Sequence, residues 1–184
     1  MENTIITDRL ILRALDGECA KQLLTFVSDG REYFEKYESK KDHNYYTEKQ
    51  QEHILSSEYS LMREGKYARY YVILKDEPFK IIGTVSFGFF RPFPFSSCNI
   101  GYKFLREYQG FGYAREAAGA AIKEVFRSMN FHQIYAYIMP ENTPSIKMAE
   151  ALGFQKEGVS KQCLCVRDVW EDHAVYKLIN PTHL

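Results

Sequence analysis

Residues 109–114 read Gln109-Gly110-Phe111-Gly112-Tyr113-Ala114, set between a stretch of strand character, IGYKFL, and an alanine-rich stretch of helical period. A loop that leaves a strand and enters a helix exposes the helix's first backbone N–H groups, which have no partner inside the helix. Those donors, with the helix dipole behind them, favour an anion such as a pyrophosphate. Gly110 and Gly112 let the backbone approach the anion with no Cβ in the way, and the Gln109 amide can brace the loop. Two other phosphate loops are excluded: there is no Gly-Lys-Ser/Thr ending, and Arg115 falls where the third glycine of a dinucleotide fingerprint would stand. Taken alone, the glycine pair leaves a plain turn and an anion cradle equally open.

Further along, Asn142 and Ser145 flank Pro144, and on residue type alone they read as turn and helix-cap chemistry. The four cysteines, Cys19, Cys98, Cys163 and Cys165, form no C-x-x-C and have no nearby His pair, so they read as reduced, structural residues and no metal site is expected. Cys163 and Cys165 would share one face of a strand.

The elements that must position these residues follow from pattern. A first strand is expected over residues 5–14, IITDRLILRA, and Asp16 then caps a short helix through Leu23, Leu24 and Val27. Residues 31–46 carry Tyr33, Phe34, Tyr37, Tyr45 and Tyr46 without a clean period and read as irregular structure or short helical turns. Thr47 with Glu48 and Gln50 resembles a capping box for a helix running to about Gly65. Tyr70 to Leu74 and Lys80 to Phe89 form a hairpin around Asp76-Glu77-Pro78, with Ile81, Gly83, Val85, Phe87 and Phe89 on one face. FFRPFPFSS, broken by Pro92 and Pro94, reads as an aromatic loop before a strand at about Cys98 to Phe104, a packed hydrophobic bulge rather than the cover for a ligand it could also form.

From Gly112 the period becomes helical, through Ala114, Ala117, Ala118, Ala121, Ile122, Val125, Phe126 and Met129. A strand over Gln133 to Ile138 follows, then Thr143 as N-cap, a first-turn Pro144, and a short helix over residues 145–152 that Gly153 ends. Strands at about 154–162 and 169–178 close the chain. A meander followed by a β-α-β-α-β unit argues for a mixed sheet flanked by helices. With 184 residues and 45% hydrophobic content, one core and a single domain over residues 1–184 are expected. Lys plus Arg and Asp plus Glu balance at 24 each, which removes the net field expected of a nucleic-acid or membrane-surface binder. No apolar run spans a bilayer and the N-terminus lacks signal-peptide character, so the expected location is cytoplasmic.

In combination, IGYKFL, QGFGYA, the alanine-rich helix and PENTPSIKMAEALGF resemble the GNAT superfamily of acyl-CoA-dependent N-acetyltransferases, in particular its RimJ/RimL-type branch. The loop form Q/R-x-x-G-x-G/A is matched by Gln109, Gly112 and Ala114, and the Asn-x-x-Ser element leading to Gly-Phe by Asn142, Ser145, Gly153 and Phe154. The opening TDRLILRAL and the ending WEDHAVYKL extend the resemblance over essentially the whole chain.

The resemblance implies an α/β (α+β) fold with a mixed, mostly antiparallel sheet, splayed between the fourth and fifth predicted strands, 98–104 and 133–138. It implies acetyl-CoA as cosubstrate, its pantetheine and thioester held by the backbone at Phe104 and Leu105 and its pyrophosphate by Gln109, Gly110, Phe111, Gly112, Tyr113 and Ala114. Asn142 would bond the pantetheine side, and Ser145 would serve the leaving thiolate. The branch often places Glu before the Ile-Gly-Tyr; here that residue is Asn99, which cannot accept a proton, so a water chain or another carboxylate must serve. Asp172 matches an acidic position near the family's active site and reads equally as an edge-strand or turn carboxylate. Glu38 and His43, in the tyrosine-rich segment, are further candidates that a solvated charge run explains equally well. The implied reaction is acetyl transfer to a primary amine, a protein N-terminus or a small molecule, in a ternary complex. Asn99 keeps open the alternative of a non-catalytic acyl-CoA-binding module. The acceptor's identity is expected to be written in residues 31–60 and the 90–97 loop, and monomer and homodimer are both open.

Overall fold

The protein is described by a computed structural model, and residues 1–182 are the described ones. Eight strands form one sheet in the order β1-β2-β3-β4-β5-β6-β8-β7. They are β1 (Thr4–Ile6), β2 (Leu10–Arg13), β3 (Ala68–Leu74), β4 (Ile81–Arg91), β5 (Ser97–Phe104), β6 (Gln133–Ile138), β7 (Gln155–Val166) and β8 (Val169–Ile179). The helices are α1 (Ala20–Asp29), α2 (Arg31–Phe34), α3 (Glu48–Arg63), α4 (Tyr113–Met129) and α5 (Thr143–Ala151). Every neighbouring pair is antiparallel except β5 with β6.

The single first strand expected over 5–14 is two strands. Thr7 Oγ1 accepts the Leu10 N–H at 3.1 Å, and the Thr7 N–H donates to the Leu10 carbonyl, which folds β1 back onto β2. The polar Thr7-Asp8-Arg9 insert thus makes a turn inside an otherwise apolar run. The predicted fourth and fifth strands are therefore β5 and β6.

Helices cover both faces of the sheet. On one face Ala117, Ala118, Ala121 and Val125 of α4, all fully buried, meet Leu10, Val72, Val85 and Ile134. The small side chains let α4 lie close to the strands, so large strand residues fill the interface, each burial worth about 1.5–3 kcal/mol. On the other face α1 and α3 present Leu23, Phe26, Val27 and Leu55 to Tyr71, Ile81 and Leu105.

That assignment corrects the reading of β4. The register between β3 and β4 shifts at Val72/Ile73, skipping Ile82, so Ile81 packs in the second core while Ile82, Val85 and Phe87 pack in the first. A second irregularity between Gly88 and Arg91 turns Phe89 out, with φ 52° and 79% exposure. An extra residue in one strand inverts the alternation beyond it, which a period of two cannot reveal. The FFRPFPFSS stretch also differs from expectation. The N–H groups of Phe95 and Ser96 both return to the Pro92 carbonyl, and this tight turn leaves Phe93 and Phe95 exposed, while Phe90 packs on Phe131.

Candidate active site

β5 pairs with β6 for three residues only, ending at Asn99↔Tyr135. Beyond that point β5 stays with β4 as far as Phe104↔Gly83, and β6 stays with β8 as far as Ile138↔Ala174. The strands therefore part, and a cavity of about 780 Å³ opens between them. This is the splay expected from the sequence, and it leaves backbone groups of the β5 edge without a strand partner.

The loop of residues 109–114 forms one end of that cavity. Gln109 Nε2 donates to the Phe104 carbonyl at 3.1 Å, so the side-chain amide ties the loop to the strand it has just left. Gly110 (φ 86°) and Gly112 (φ 80°) are both left-handed, a conformation in which a Cβ is strained. A Cβ on Gly110 would meet no described atom within 4 Å. Thr47, Asn142 and Asp16 cap the starts of α3, α5 and the short helical turn at Gly17–Cys19 with side-chain oxygens. Gly112 supplies no such cap to α4 among the described residues, and the first-turn amides of this 17-residue helix stand at the cavity.

The outer side of the loop is pinned by a residue that the motifs did not mark. Arg9 donates to the Phe111 carbonyl at 2.9 Å, pairs with Glu116 at 2.7 Å and lies 4.6 Å above the Tyr113 ring. Burial pushes the Glu116 carboxyl up, but bonds from Thr7 and from the Arg9 backbone and side chain outweigh it and hold the carboxyl below its usual range. Glu116 thus stays ionised as the anchor for Arg9.

Phe104, Gln109, Gly110, Gly112, Tyr113, Ala114, Asn142 and Ser145 all border the one cavity. Leu105, Phe111 and Asp172 do not. The Leu105 N–H donates to the Ile82 carbonyl at 2.9 Å, and its side chain is 1% exposed in the second core. By strand alternation the backbone of Tyr102 and Phe104, rather than that of Leu105, faces the splay. Phe111 points outward and stacks on Tyr113. Asp172 Oδ2 accepts from Lys161 at 2.6 Å and Oδ1 accepts the Gln162 N–H at 2.9 Å, and these bonds hold its carboxyl below the usual range. Its neighbour His173 reaches the cavity instead. Asn99 Oδ1 is buried without a hydrogen-bond partner among the described residues.

The start of α5 is also shifted by one residue from the sequence reading. Asn142, not Thr143, is the N-cap: its Oδ1 accepts the Ser145 N–H at 3.3 Å, because an Asn side chain placed three residues back reaches the orphan amide that Thr143, already helical, cannot. The amide's donor end is what Asn142 has to offer a ligand. Ser145 Oγ donates to Tyr102 Oη at 3.0 Å, and Tyr102 Oη donates to the Ser145 carbonyl at 3.1 Å, so β5 and α5 are linked across the opening.

The far wall comes from α3, the strands and the tyrosine-rich segment after α1. Tyr33, Tyr37 and Tyr45 line it, and burial pushes the Tyr45 phenol up to about 12, so it stays neutral. Lys103 Nζ sits between the Glu38 oxygens at 2.8 and 3.1 Å; burial lowers its pKa against the opposing pull of Glu38. Arg69 pairs with Glu58 at 2.7 Å, and Lys41 stands 3.9 Å from Glu38. Residues from the 31–60 stretch thus line the cavity, whereas none of the 90–97 loop borders it.

A sheet that parts between β5 and β6, with a glycine-led helix starting at one end of the opening, is an architecture suited to a phosphorylated acyl donor. Residues 9–155 match the family described as Acetyltransferase (GNAT) domain, and the chain belongs to that family. It is an N-acetyltransferase-type acyltransferase. It is 30% identical to the probable N-acetyltransferase YjcK of Bacillus subtilis (strain 168), over 94% of each chain. It is 29% identical to the ribosomal protein uS5-alanine N-acetyltransferase of Escherichia coli (strain K12), over 96% of this chain and 91% of that one. Among solved structures, a ribosomal-protein-S5-alanine acetyltransferase from Vibrio fischeri superposes with a TM-score of 0.93 at 31% identity, over 100% of both chains.

Proposed function

We propose that the chain transfers the acetyl group of acetyl-CoA to the α-amine at the N-terminus of a protein or peptide, as a single cytoplasmic domain. The donor fits the site. A Cβ on Gly110 would meet no described atom within 4 Å, and among the described residues Gly112 gives the start of α4 no side-chain cap. Gln109 to Ala114 would hold the pyrophosphate, the β5 edge at Tyr102 and Phe104 and the Asn142 amide would lie along the pantetheine arm, and Ser145 would stand at the sulfur.

The observation that carries the choice of acceptor is the far wall. Lys41, Arg69 and Lys103 stand there against Glu38 and Glu58, an excess of one positive charge. Such a wall disfavours an ammonium and favours the neutral amine that must attack. Freeing a lysine amine of its proton at pH 7 costs about 4.6 kcal/mol from a pKa near ~10.4, and an α-amine only about 1 kcal/mol from ~7.7–8.0. The wall thus holds an α-amine in reactive form at small cost. Attack forms the C–N bond as the C–S bond breaks, and the proton shed by nitrogen leaves to solvent. In this reading Asp172, engaged by Lys161 and Gln162, takes no part at the reacting atoms.

The test is thiol release with two peptides of one sequence containing a lysine, one with a free N-terminus and one with its α-amine blocked. Turnover of the free peptide alone is expected. Equal turnover of the blocked peptide refutes the α-amine assignment, and no turnover across N-terminal peptides, amino acids, polyamines and aminoglycosides would leave donor binding without transfer.

A further inference from the structure

Ser145 has a single hydroxyl proton, and Tyr102 holds it: Ser145 Oγ donates to Tyr102 Oη at 3.0 Å. The Tyr102 proton goes in turn to the Ser145 carbonyl at 3.1 Å. With its proton committed, Ser145 offers the cavity lone pairs and no donor. A thioester sulfur asks for little more, being a weak acceptor. A thiolate asks for a donor.

We propose that Tyr102 is a positioning residue for acetyl transfer, which keeps the Ser145 hydroxyl aligned and backs it with a second hydroxyl as charge gathers on the sulfur. The inference rests on the reading of Ser145 as the sulfur's partner. As the C–S bond breaks and its electron pair leaves with sulfur, the Ser145 O–H turns about the Cβ–Oγ bond onto the thiolate. The Tyr102 O–H turns from the Ser145 carbonyl to Ser145 Oγ behind it. Neither O–H bond breaks, no heavy atom of the pair has to move, and the proton lost by the attacking nitrogen goes to solvent. Hydroxyls in a chain polarise one another, so the outer donor strengthens the inner one.

Two features favour a backing hydroxyl over a proton donor. Burial pushes the Tyr102 phenol up, against the opposing effect of the Ser145 bond, which makes a phenolate a poor resting place for charge. And Tyr102 projects from the stretch of β5 that has lost its β6 partner, so its hydroxyl reaches α5 across the opening that the donor must occupy.

Bound CoA itself reports the effect without any acceptor. The thiolate's ultraviolet absorbance, titrated with pH on the CoA complex, should show ionisation at lower pH than in free CoA. Ser145→Ala should abolish that shift. Tyr102→Phe, which keeps the ring, should remove part of it, leaving about three- to tenfold less thiolate at a given pH, where one pH unit is tenfold. In a Ser145→Ala background, Tyr102→Phe should add nothing, as expected of residues that act as one unit. With an accepted amine, kcat of Tyr102→Phe should fall about tenfold while the KM for acetyl-CoA stays within about twofold. A wild-type titration in Tyr102→Phe, or an equal effect with and without Ser145, overturns the proposal. A wild-type titration in Ser145→Ala removes Ser145 and Tyr102 together. The expected titrations alongside an inert free-N-terminus peptide would instead fault the choice of acceptor.

Discussion

Replacing Gly110 with alanine separates two costs that the structure keeps apart. The first is conformational: at φ 86° an L-residue is strained by about 1–2 kcal/mol whatever surrounds it. Because a Cβ there meets no described atom within 4 Å, no packing clash adds to this. A loss of about 1–2 kcal/mol corresponds to a fall in melting temperature of roughly 2–8 °C for a chain of this size. The second cost falls on the donor if it binds as proposed, since the new methyl would then enter the space given to the pyrophosphate beside the α4 amides. In the wild type, acetyl-CoA at 100 times its Kd should stabilise the fold by about 2.7 kcal/mol. A hundredfold weaker complex at the same concentration would keep only about 0.4 kcal/mol of that by the same relation. Thermal melts with and without acetyl-CoA measure both costs at once. Gly158→Ala is the control, its Cβ equally open and its backbone outside the left-handed region, and it should leave both melts unchanged. If Gly110→Ala lowers the unliganded melting temperature yet retains the full rise with acetyl-CoA, the donor does not approach this loop and the cradle is only a turn.

Two further outcomes test particular packing and placement. Gly83→Ala would set a Cβ 2.3 Å from Cδ1 of the Phe104 ring, so urea unfolding should show a loss of about 1–3 kcal/mol, as in other overpacked cores; an unchanged midpoint would mean that the ring and the end of β5 are free to move. Asp172→Asn should leave turnover within about twofold of wild type, whereas a loss of ~10²–10⁴, the range for a general base, would return Asp172 to the reaction.

What could be read from the chain itself was local. The switch to a helical period after Gly112, the turn residues at Gly110 and Gly112, and the side-chain cap at Thr47 depend on neighbours a few residues away, and each stands where its pattern placed it, whereas Asp16 caps the single turn Gly17–Cys19 and the helix through Leu23 and Val27 starts beyond it, at Ala20. The splay of β5 from β6 followed from family resemblance, and the strands do part after Asn99. Cap identity at α5 slipped by one residue, because Asn142 and Thr143 are both competent caps and the helix axis chooses between them.

The bulge that sends Ile81 and Val85 to opposite faces is invisible to a period of two, since one skipped residue inverts the pattern beyond it. Arg9 on Phe111, Lys103 on Glu38 and Tyr102 on Ser145 are separated by 102, 65 and 43 residues. No spacing rule links such pairs; they meet because β2 lies near the start of α4 and because the opening of the sheet faces both α5 and the tyrosine-rich segment. The sequence by itself therefore determined a glycine-led helix start, which suits a turn and an anion equally, and the donor class came from the combination of motifs that resembles the family. The charge of the far cavity wall and the direction of the Ser145 hydroxyl were decided only by the tertiary structure, because both are properties of side chains that the fold alone brings together.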